Sequence, residues 1–110
     1  VYRGTTGTVE TFSQKTPPLG AFTKYTHNAQ SFRLEKGDTV LLFSDGLPEL
    51  FDARGEMLGY RAVKECFEKS VAAGSSPDEI IAFLREAGDK WRLEIPQHDD
   101  ITFVVIKITG

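Results

Sequence analysis

Three aspartates have the residue types and spacing to do chemistry. Asp45 follows the apolar run Thr39–Phe43, inside the triplet Ser44-Asp45-Gly46, and Asp99-Asp100 precede a β-branched run that starts at Ile101. The last residue of one strand and the first residue of an antiparallel neighbour lie at the same edge of a sheet. If the two runs pair in this way, the three carboxylates meet there. Carboxylates that close repel and raise one another's pKa unless a cation lies between them. Oxygen donors of this kind suit Mg²⁺ or Mn²⁺, whereas zinc would call for cysteine or histidine. A plainer reading exists: Asp-Gly is a common turn dipeptide, and aspartate often punctuates the start of a strand. Spacing alone leaves both open.

Other reactive types have bland readings beside them. His98 adjoins the aspartate pair and could hand a proton to a leaving group, though an exposed loop histidine is the simpler account. His27 reads as solvent-facing. Glu49 reads as a solvated residue on a short helical turn. Cys66 sits beside Phe67 on an apolar face, which points to packing rather than a reactive thiol. Trp91 and Phe83 read as core. Lys36, Lys64, Lys69 and Lys90 are scattered, with no cationic patch.

The elements that must position the aspartates follow from patterning. Thr6–Ser13 is rich in Thr, Val and Phe and predicts a strand, which Pro17-Pro18-Leu19-Gly20 interrupts. Tyr25–Leu34 predicts a second strand, joined through Glu35-Lys36-Gly37-Asp38 to Thr39–Phe43 as a hairpin. The unbroken apolar character of Thr39–Phe43 predicts burial on both faces. Val63, Cys66, Phe67, Ser70 and Val71 recur at helical steps, and Ala73-Gly74 ends that helix. Ser76-Pro77-Asp78-Glu79 then carries a cap, a first-turn proline and a capping box. Ile80, Ile81, Leu84, Ala87 and Trp91 line the face of this second helix, and Gly88 weakens its last turn. Helices are expected over 59–73 and 77–91, and a strand over 101–108. The order of strands, two helices and a strand predicts an α+β fold, with a mainly antiparallel sheet and both helices on one face.

Composition bounds the function. The 110 residues fit one domain or part of one, and the net charge of −3 offers no polybasic footprint for nucleic acid or an anionic membrane. The longest apolar run, 40–43, is far shorter than the roughly 20 residues that span a bilayer. A single cysteine forms no internal disulfide, in keeping with a reducing cytoplasm. The chain opens on Val1 rather than methionine, so we expect a boundary inside a larger protein.

The words around the aspartates carry a resemblance. Leu34-Glu35-Lys36-Gly37-Asp38-Thr39-Val40-Leu41-Leu42-Phe43-Ser44-Asp45-Gly46-Leu47-Pro48-Glu49 resembles the Gly-Asp, apolar strand, Asp-Gly, Glu segment of the type 2C protein phosphatases, in its SpoIIE and RsbU branch. Pro18-Leu19-Gly20, Gly55-Glu56-Met57-Leu58-Gly59 and Gln97-His98-Asp99-Asp100-Ile101-Thr102 resemble further words of that branch, in the same order. The resemblance implies part of an α-β-β-α sandwich that hydrolyses phosphoserine or phosphothreonine with two divalent cations, Mn²⁺ or Mg²⁺, about 3.5–4 Å apart. It implies metal ligation by Asp45 and Asp99, an accessory role for Asp100, and a sharp turn beside the ion at Gly46. The matching position of Asp100 carries Asp or Asn in relatives, and Glu49 matches an acidic position. The family's first metal motif, with an aspartate that bridges both ions, lies upstream in relatives and has no counterpart here. Residues 1–110 are therefore expected to be the C-terminal portion of the domain and a poor catalyst alone. The implied partner is a phosphorylated protein, such as an anti-sigma-factor antagonist, with no nucleic acid and no membrane contact by this segment. Sensor or receiver domains commonly precede such domains. A phosphatase-like module that binds a partner without catalysis is the alternative.

Overall fold

The computed structural model describes residues 1–12, 31, 33–97 and 99–109. In chain order these form β1 (Tyr2–Arg3), β2 (Thr8–Val9), β3 (Thr39–Phe43), α1 (Tyr60–Ala72), α2 (Pro77–Arg92) and β4 (Phe103–Lys107). Every strand pairing is antiparallel, in the order β2-β1-β3-β4. The fold is α+β, as the element order predicts.

The long pairing is the one the aspartates require. β3 and β4 run side by side from Thr39↔Lys107 to Phe43↔Phe103. Because side chains alternate across a strand, Leu41, Phe43, Phe103 and Val105 share one face. All four pack against a buried cluster of Leu47, Leu50, Val63, Phe67, Ile80 and Leu84. That cluster takes Val63 and Phe67 from α1 and Ile80 and Leu84 from α2, so both helices cover the same face of the sheet. The opposite face is open in part, where Leu42 is 54%, Val104 45% and Ile106 44% exposed. Burial of β3 on both faces is thus not observed. A run of consecutive apolar residues does not specify what covers its second face.

Both helices start and stop where expected. The Ser76 hydroxyl accepts from Glu79 N at 3.2 Å, and Glu79 Oε1 accepts from Ser76 N at 3.0 Å, completing the capping box. Gly74 takes a positive φ of 80° just past α1, which a residue with a side chain rarely adopts. Within α1 the buried Ser70 satisfies its hydroxyl on the Cys66 carbonyl at 2.7 Å. Cys66 is half-buried, and burial pushes its thiol pKa up, consistent with packing. Trp91 packs against the core and its indole N–H donates to the Glu56 carbonyl at 3.0 Å. Phe83, read as core, is instead 43% exposed, because it falls off the inward stripe of Ile80, Leu84 and Gly88. Among the described residues no helix is long and apolar enough to cross a membrane.

The N-terminal region departs most from expectation. Only Thr8–Val9 of the predicted strand 6–13 is strand, and Ser13 lies outside the described residues. Thr6 and Gly7 are used by a turn, in which Gly7 at φ +69° donates its N–H to the Arg3 carbonyl at 2.8 Å. β1, which the patterning misses, is the other arm. The predicted strand 25–34 lies largely outside the described residues, and of its described part Ser31, Arg33 and Leu34 are not strand. The described neighbours of β3 are β1 and β4. The turn before β3 is present, with Gly37 at φ +94° and Asp38 N donating to the Glu35 carbonyl at 3.0 Å.

Candidate metal centre

The site lies just past the last rung of the β3–β4 ladder. Ser44 N donates to the Thr102 carbonyl at 3.1 Å, extending the pairing by one step. There a side chain takes over: the Ser44 hydroxyl accepts from Thr102 N at 2.9 Å and donates to the Asp100 carbonyl at 3.2 Å. This hydroxyl clips the Asp45 segment to the Asp99-Asp100 segment. Gly46 follows, buried and pressed onto the same backbone, such that a Cβ there would overlap the Asp100 carbonyl. Glycine is needed here for a close backbone approach. Residues 45–49 then turn sharply, with Glu49 N donating to the Asp45 carbonyl at 3.1 Å.

The strand ends therefore meet, while the carboxylates have different partners. Asp45 Oδ1 accepts a hydrogen bond from the Tyr60 hydroxyl. Asp99 Oδ1 accepts from Asp100 N at 2.8 Å, and the Asp99 carbonyl accepts from Gln97 Nε2 at 2.7 Å. Asp99 lines a small cavity of about 130 Å³ together with Gly46, Glu49, Leu50, Phe51 and Met57. Asp45, Asp99 and Asp100 are all exposed. The negative character of this end is felt by Tyr60, whose pKa is raised first by its hydrogen bond to Asp45, then by burial, and further by the Asp45 and Glu49 charges. A much larger cavity of about 620 Å³ lies between β3 and α1, lined by Val9, Phe12, Val40, Phe43, Val63 and Phe67 among others. None of the candidate ligands lines it, so it is not the site.

The donor set is all oxygen, which fits a hard divalent cation in kind. It is short in number: among the described residues no three Asp, Glu, His or Cys side chains converge as a metal-holding group. His98 lies outside the described residues.

Two residues of the site escape sequence reasoning. Ser44 stands within the motif, yet its clip depends on the register of a strand 58 residues away. Tyr60 had no signal beyond its place after Gly59. Asp38, also in the motif, belongs to the other end of β3 and is structural. It is 2% exposed and accepts from Glu35 N at 2.8 Å, Arg3 Nη1 at 2.9 Å and Gly4 N at 3.1 Å.

An antiparallel sheet roofed on one face by a helix pair, with Asp45, Asp99 and Asp100 just past the end of its β3–β4 ladder, defines an α+β domain with a candidate hard-cation site. The chain belongs to the Stage II sporulation protein E (SpoIIE) family, whose model matches residues 1–109. No curated protein and no solved structure matches the chain.

Proposed function

We propose that this chain is the C-terminal portion of a metal-dependent protein serine/threonine phosphatase domain in signalling, with Asp45 and Asp99 as metal ligands. The observation that carries this reading is the antiparallel β3–β4 register, which brings Asp45-Gly46 against Asp99-Asp100 in a chain of the SpoIIE family. The open apolar stripe of Leu42, Val104 and Ile106 supports it, because the second sheet of an α-β-β-α sandwich would pack there.

In this reading Asp45 and Asp99 would hold Mn²⁺ or Mg²⁺ through carboxylate oxygens, with further donors required from elsewhere in the parent protein. Such cations, when bound, would supply Lewis acidity toward a phosphoryl oxygen and lower the pKa of water toward a hydroxide nucleophile. Hydrolysis would then add water across the bond from phosphorus to the serine oxygen, giving inorganic phosphate and a serine hydroxyl. Gly46 and Ser44 hold the two acidic segments together, and Asp100 is accessory. The substrate is a phosphorylated regulator, such as an anti-sigma-factor antagonist, met in the cytoplasm. In the intact protein, Asp45→Asn and Asp99→Asn are expected to abolish Mn²⁺-dependent phosphate release from a phosphoserine peptide, and Asp100→Asn to reduce it mildly. Asn keeps the shape but removes the charge that holds a hard cation.

One observation favours a second reading, a partner-binding module without catalysis: no third donor converges with the others among the described residues. An upstream Asp-Gly metal motif in the parent protein separates the two, since the enzyme needs it and the module does not.

A further inference from the structure

We propose that Tyr60 is a positioning residue for Asp45, its hydroxyl holding Oδ1 and leaving Oδ2 as the oxygen available to a cation. The inference rests on the metal reading of Asp45 and goes beyond it by assigning the group that sets the carboxylate's orientation. The Tyr60 hydroxyl donates to Asp45 Oδ1, and the Asp45 carboxylate accepts from no other donor among the described residues. Tyr60 is 56% exposed, so burial is a weak reason for a tyrosine here, and its hydroxyl has a defined partner.

The path that delivers Tyr60 is pinned to the turn that carries Asp45. Leu58 N donates to the Leu50 carbonyl at 2.9 Å and Gly59 N to the Pro48 carbonyl at 2.7 Å. Gly59, at φ +88°, then redirects the chain into α1, of which Tyr60 is the first residue. The ring rests on Phe43 of β3, with centroids 6.1 Å apart and planes tilted by 47°. The turn and the strand therefore both locate the phenol relative to Asp45. Ligating carboxylates work best when a hydrogen bond holds them, and loss of such a partner typically weakens metal affinity about 10–100-fold.

The test uses the full-length protein and reads free Mn²⁺ by electron paramagnetic resonance in the wild type, Tyr60→Phe and Asp45→Asn, with metal-free thermal melts of each. Phenylalanine keeps the ring on Phe43 and removes only the hydroxyl. The expected result is Mn²⁺ binding about 10–100-fold weaker in Tyr60→Phe at an unchanged metal-free melting temperature, with the site lost in Asp45→Asn. Equal or tighter binding in Tyr60→Phe, beside an Asp45→Asn that loses Mn²⁺, overturns the positioning role and leaves the metal reading standing. Weaker binding that comes only with a lowered metal-free melt shows a folding role and overturns it too. Undiminished Mn²⁺ binding in Asp45→Asn removes the metal reading and this inference together.

Discussion

Asp38 and Asp45 sit at opposite ends of the same five-residue strand, and their partners separate their roles. Asp38 is buried and satisfied by two backbone N–H groups and Arg3, whereas Asp45 is exposed and held by one phenol. The hydrogen bond from Glu35 N, followed by those from Gly4 N and Arg3, holds the Asp38 carboxyl below its ordinary range. A depressed carboxyl pKa means the folded state binds a proton less readily than the unfolded chain. Its contribution is thus present in full above the usual aspartate value, about 3.9, and is lost as pH falls through the lower folded value. We expect Asp38→Asn to lower the melting temperature at pH 7 yet flatten its decline below about pH 4, a difference that thermal melts across that range would reveal. Parallel acid limbs in the two proteins would contradict the structural role. The placement of Asp45 and Asp99 beside two strand ends was legible in sequence, because a motif and the flanking apolar runs mark it. The hydrogen-bond partners of Asp38 and Tyr60 were not, since distant chain brings each together: Arg3 lies 35 residues from Asp38, and Tyr60 reaches Asp45 across 15.

The helices place the site by pressing on the turn that carries it. Gly88 of α2, which by propensity only weakens the helix, lies against Leu47 and Leu50, and a Cβ there would come within 2.9 Å of both Cδ1 atoms. Alanine would gain about 1 kcal/mol of helix propensity. Overpacking a core costs about 1–3 kcal/mol. Both leucines are locked in the core, at 1% and 4% exposure, so overpacking wins. Gly88→Ala should therefore lose about 1 kcal/mol in denaturant unfolding rather than gain it. Phe67 of α1 is 2% exposed within the same cluster, and Phe67→Ala should cost about 3–5 kcal/mol in the same experiment. An unchanged midpoint would mean that this ring is not in the core. Helix periodicity and the Ser76 capping box made both helices readable to within a residue or two. The β1–β2 hairpin was hidden, because strands of two residues show no alternation for a pattern to detect.

Across the whole molecule, a sheet with one face roofed by helices and the other partly open carries Asp45, Asp99 and Asp100 past one end of its β3–β4 ladder. The α+β class and the antiparallel β3–β4 pairing could be read from the order and character of the apolar runs. The exposure of Leu42 could not, because nothing in a continuous apolar strand distinguishes a covered second face from an open one. The proposed function makes the acidic end the seat of chemistry and gives the rest of the fold the task of holding β3 and β4 in register. The most direct measurement is phosphate release from a phosphoserine peptide by the intact protein, with Mn²⁺ titrated against the wild type, Asp45→Asn and Asp99→Asn. Mn²⁺-dependent turnover is expected in the wild type and its loss in both variants, with melting curves showing that the fold persists. Full activity in Asp45→Asn and Asp99→Asn would contradict the proposed function.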